Sequence, residues 1–95
     1  MWQLREGAHA VLTDEGGAIL SERTGRWTYL TPTASAAVLL LLANDDEDRA
    51  AGQYAGLYEL PAERAAGDVR AVCDALAGQG LVRTGTARRR RGWWR

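Results

Sequence analysis

The spacing of apolar positions changes period part-way along this chain of 95 residues. Between Ala10 and Leu30 apolar residues come in short runs broken by Gly, Asp and Thr; from Pro32 onward they recur at helical intervals. Residues 10–13 alternate around Val11 and Leu12, "DEGG" at 14–17 supplies turn residues, and residues 18–21 give a second short strand. "RTG" at 23–25 makes a second turn before a third strand, "RWTYL", at 26–30. Three strands joined by two short turns predict an antiparallel meander with the third strand at an edge. In that strand Trp27 and Tyr29 share one face, and Arg26, Thr28 and Leu30 share the other.

Three helices follow. Thr31 suits an N-cap and Pro32 a first helical position, and Val38 to Leu42 make this helix apolar nearly all round, as a central core element is. "NDDED" at 44–48 ends it and starts a second helix, in which Ala50, Ala51, Tyr54, Leu57 and Tyr58 recur at helical spacing. The third begins near Pro61; Ala65, Val69, Val72, Cys73 and Leu76 form its apolar stripe, and Gly78 or Gly80 closes it. Leu81 and Val82 are then placed to fold back on the core. The expected fold is α+β: a three-stranded antiparallel sheet followed by three helices, winged-helix-like in its parts. It occupies residues 1–84, and residues 85–95, "GTARRRRGWWR", read as a flexible basic tail.

Charge sharpens this division. Residues 1–87 hold seven arginines against all twelve acids, a balance of −5, and the five arginines of "RRRRGWWR" restore zero. An acidic body argues against nucleic acid as the partner. The single cysteine excludes an internal disulfide and fits a reducing cytoplasm. The N-terminus has no signal-peptide pattern, and the longest apolar run, "AAVLLLLA", is too short to span a membrane.

Catalytic chemistry finds little support. His9 is the only histidine and Cys73 the only cysteine, with no third orienting group and no partners at metal-ligand spacing. His9 reads as a surface histidine and Cys73 as a small apolar residue on a helix stripe. There is no phosphate-cradling glycine loop and no nucleophile elbow. No catalytic residue, metal or cofactor is expected, and the protein is read as a binding protein, not an enzyme.

The third strand is the candidate binding element. Arg26 is the only charge between Gly25 and Pro32, so the edge is lightly protected against strand addition. Trp27 and Tyr29 either cover the outer face of the sheet or take part in binding.

The ordered set from Ala8 to Val82 resembles the PqqD-like family, whose members are recognition elements for ribosomally synthesised and modified peptides. The residues that carry the likeness are the hairpin, then Gly25, Trp27, Leu30 and Thr31 (where the family usually has Asn), then Asp68–Val69, Leu76 and Gly80–Leu81–Val82. The resemblance implies three antiparallel strands with three helices. It also implies binding of a precursor's leader segment as an added strand on the third strand, in a groove against the third helix. On that implication the leader-binding residues are Arg26, Trp27, Thr28, Tyr29 and Leu30 on the strand, and Asp68, Val69, Val72, Cys73 and Leu76 on the helix. Some of the helix residues must face the core instead. Asp68 and Arg70 are candidates for fixing register by charge. A free-standing chain of this length is most similar to the leader-binding proteins of lasso-peptide pathways. Those hand the precursor to a separate cysteine peptidase, and a separate ATP-dependent cyclase closes the ring. Leaders of that class often carry a Tyr-x-x-Pro-x-Leu pattern. Expected partners are therefore a leader peptide, a peptidase and a macrocyclase, with the protein a monomer or a weak edge-strand dimer.

Two rivals remain. A winged-helix DNA-binding module would use the third helix with Arg64 and Arg70 and the basic tail as an arm. A general protein-interaction adaptor would dock through the second helix or through Trp93 and Trp94 of the tail.

Overall fold

The computed structural model describes residues 2–13, 15–44 and 46–84. The proposed tail at 85–95 lies outside the described residues. The chain runs β1 (Trp2–Leu4), β2 (Ala8–Thr13), β3 (Gly16–Ser21), β4 (Arg26–Leu30), α1 (Pro32–Asn44), α2 (Glu47–Tyr58), α3 (Ala62–Gly78) and β5 (Val82–Thr84). The expected meander is present as a three-stranded antiparallel sheet in the order β2–β3–β4, so β4 is an edge.

The first hairpin is longer than its apolar pattern suggests. Thr13 pairs with Gly16, so both glycines belong to β3. Gly17 is needed inside the strand: a Cβ there would lie 2.6 Å from the Val11 carbonyl oxygen and 3.1 Å from Ser35 Oγ. Ser35, fully buried on α1, donates to the carbonyls of Thr13 and Gly16 at 3.0 and 3.2 Å and so ties the helix to the hairpin.

A second, two-stranded sheet was not visible in the sequence. β1 and β5 pair antiparallel from Trp2 opposite Thr84 to Leu4 opposite Val82. Strands of three residues are too short to show a period, yet this pair closes the domain. Trp2, Leu81 and Val82 are buried with Ile19, Val38, Leu41, Val69, Cys73 and Leu76 in one core.

The helix ends follow local chemistry. Thr31 Oγ1 accepts from the Ala34 N–H at 3.2 Å and so caps α1. Asp46 caps α2 by accepting from the Asp48 N–H at 3.0 Å. At the end of α3, Gly80 adopts φ +72° and its N–H bonds to Ala77, while the Leu81 N–H bonds back to Leu76. α1 is less enclosed than its composition implies: Ala37, Val38 and Leu41 are buried, whereas Leu39 and Leu42 reach solvent. None of the described helices is long and apolar enough to cross a membrane.

Candidate functional site

The site is built from the free edge of β4 and one flank of α3. On β4 the sheet's alternation sorts the side chains. Ile19, fully buried, lies opposite Thr28, so Arg26, Thr28 and Leu30 point toward the helices. Trp27 and Tyr29 point outward and are 49% and 79% exposed. They stand in register with Leu20 and His9, and with Ala18 and Val11, so the outer face carries one apolar row, Tyr29–Ala18–Val11, beside a row that ends in His9.

Backbone groups alternate as well. The Gly25 N–H bonds to the Ser21 carbonyl in the β3–β4 turn, and the Glu22 N–H bonds the other way, to Gly7 beside β2. Ser21, Ile19 and Gly17 therefore turn their backbone groups toward β4, and those of Arg26, Thr28 and Leu30 turn back toward β3, with the Arg26 N–H also bonding Thr24 Oγ1 at 3.2 Å in the turn. The N–H and C=O groups of Trp27 and Tyr29 are the ones left facing the open edge.

The structure divides the third-helix residues. Val69, Cys73 and Leu76 are buried at 0%, 5% and 1% exposure and build the core, so they are withdrawn from the groove wall proposed for them. Asp68 and Val72, both half-buried, lie on the flank of α3 that also carries Ala75 and Gln79, at spacings of four, seven and eleven from Asp68. That flank faces β4, because Thr28 Oγ1 donates to Gln79 Oε1 at 2.6 Å. Arg70 is a correction: it sits on the opposite flank, where its guanidinium holds Glu47 of α2 at 2.7 Å. A cleft of about 260 Å³ there is lined by Glu47, Asp48, Ala51, Ala66, Gly67 and Arg70, away from the β4 edge.

Beyond the C-terminal end of β4, the Tyr54 hydroxyl bonds the Thr33 side chain and feels the charge of the Asp68 carboxylate. Burial pushes the Tyr54 hydroxyl up, the Thr33 contact opposes that, and Asp68 adds to it. Asp68 also lies 3.6 Å from Arg64, one turn back on α3. The strip between β4 and α3 thus runs from Arg26, past Thr28 and Gln79, to Leu30 and Val72, and ends at this polar cluster.

The candidate chemical residues are accounted for structurally. His9 bonds Glu22 at 2.7 Å across the sheet surface. Burial, aided by the charge of Glu47, pushes the Cys73 thiol up to about 11. Its neighbour is the indole of Trp2, whose buried N–H has no oxygen or nitrogen partner among the described residues and meets only the weakly accepting sulfur. No group of three or more His, Cys, Asp or Glu among the described residues is arranged to hold a metal.

The model of the family described as coenzyme PQQ synthesis protein D (PqqD) matches residues 16–82. The chain belongs to the PqqD family. The match begins at β3 and ends at Val82, so it contains β4, all three helices and the strip between β4 and α3. A solved lasso peptide synthetase B1, in complex with its leader peptide, superposes with a TM-score of 0.77 at 27% identity, over 86% of this chain and 96% of that one. TbiB1 in complex with the TbiA(beta) leader peptide superposes with a TM-score of 0.79 at 20% identity, over 90% and 98% of the two chains, a likeness of fold. No curated protein matches the chain.

Proposed function

We propose that this PqqD-family protein binds the leader segment of a ribosomally made precursor peptide by strand addition to β4 and presents it to a separate leader peptidase in a lasso-peptide pathway, in the cytoplasm. The observation that carries this reading is the free edge of β4, where Trp27 and Tyr29 offer unspent backbone groups beside an exposed flank of α3. The similarity to a B1 protein complexed with its leader supports it.

The geometry also bears on what such a leader looks like. Alternate residues of an added antiparallel strand bond to Trp27 and Tyr29 and point their side chains outward. The residues between them point inward, and their own N–H groups face away from β4. Proline is tolerated where the N–H is not needed. A proline therefore fits at an inward position of the leader. Micromolar affinity needs about −8 kcal/mol, and burying two or three side chains at ~1.5–3 kcal/mol each supplies much of that. The ladder bonds offset part of the cost of ordering the leader.

A filled edge leaves the outer face of the sheet open. Val11, Trp27 and Tyr29 make it apolar and exposed, and we assign it to the enzyme that receives the precursor. The DNA-binding reading is weakened by the third helix itself, where Arg64 and Arg70 both stand against acids.

The test is fluorescence anisotropy of a labelled leader, taken from the short reading frame nearest this gene, with random duplex DNA as the parallel probe. Micromolar or tighter leader binding that changes little with salt is expected. Salt-sensitive DNA binding without leader binding would overturn the reading. Val11→Asp should keep leader affinity and lose stimulation of the peptidase.

A further inference from the structure

Gln79 was not among the residues the sequence singled out. It lies just beyond α3, and its place is fixed from the backbone outward. Its N–H bonds to Leu76, the Gly80 N–H to Ala77 and the Leu81 N–H to Leu76, and Leu81 is anchored in the core. The carboxamide is then held across the strip by Thr28, whose hydroxyl donates to Oε1 at 2.6 Å. With Oε1 so engaged, the carboxamide presents its Nε2 hydrogens, which have no partner among the described residues.

We propose that Gln79 is a specificity-determining residue of the leader site, reading one inward-facing leader side chain and selecting a hydrogen-bond acceptor there. The inference rests on leader binding at β4. An added strand places one residue opposite Thr28, on the same face, with its Cβ about 4.5–5.5 Å from that of Thr28. Its side chain comes down onto the Gln79 carboxamide. Asn, Asp, Ser or Thr satisfies the waiting N–H groups. An aliphatic side chain takes them out of water and returns nothing. The inward neighbours meet different chemistry: Leu30 and Val72 on one side, the Arg26 guanidinium on the other. The leader's inward row is therefore apolar, then polar, then acidic, at intervals of two.

The test uses the synthetic leader segment from the reading frame nearest this gene, with Leu or Asn placed at each position in turn. Affinities are measured by anisotropy against the wild type and against Thr28→Val/Gln79→Leu, a pair that exchanges the hydrogen bond for an apolar contact at partly exposed positions. Thermal melts confirm that the double variant is folded. At one position, two residues from the apolar anchor, the wild type should prefer Asn to Leu by roughly fivefold to tenfold, and the double variant should reverse that preference. A stabilising role alone would not produce a reversal. Equal Leu and Asn preferences at every position in both proteins would overturn the proposal. Failure of the wild type to bind the unmodified segment would overturn leader binding itself, and this proposal with it.

Discussion

Adjacent residues of β4 carry different duties, and proline separates them. Thr28 spends its backbone groups on Ile19, whereas those of Tyr29 face the open edge. Tyr29→Pro should leave the melting temperature nearly unchanged and lower leader affinity at least tenfold, since a single ladder bond and its neighbour are lost. Thr28→Pro should lower the urea midpoint, because it cuts the β3–β4 ladder. Urea titrations beside anisotropy distinguish the two. Cys73 gives a pH signature. Its thiol titrates near 11 in the folded chain against an ordinary value of about 9. The folded state therefore holds a proton that the unfolded state releases, and stability should fall as pH rises from about 9 to 11. Cys73→Ala should flatten that slope in urea titrations run across this range.

The apolar stripe of α3 was legible from spacing, but its division was not. Val69, Val72, Cys73 and Leu76 all read as one face, because a helical period gives a face without saying where the neighbouring elements end. Packing decides it: three of the four meet Trp2, Ile19 and α1, and Val72 falls on the flank toward β4. Leu76→Ala should cost about 2–5 kcal/mol in chemical denaturation, with leader affinity unchanged in the folded fraction. Val72→Asp should weaken leader binding more than tenfold in the folded fraction, because it sets a charge against the leader's apolar anchor, and should lower the urea midpoint as well, because Val72 is half-buried and packs against the core. The meander, the three helices, the Thr31 cap and the β4 edge were readable because turn glycines, caps and periods are local signals. The β1–β5 pair was not, since its meaning lies wholly in a contact between the two ends of the domain.

That terminal pair governs the molecule as a unit. Trp2 brings the start of the chain into the same core as Leu81 and Val82. Trp2→Ala should destabilise by about 3–5 kcal/mol in urea titrations. The central claim, however, is that β4 accepts a strand. Its most direct test is amide hydrogen exchange by NMR on the labelled protein, with and without the leader segment. The N–H groups of Trp27 and Tyr29 should exchange quickly in the free protein and become protected in the complex, while that of Thr28 is protected in both. A complex in which Trp27 and Tyr29 still exchange quickly would contradict strand addition at this edge.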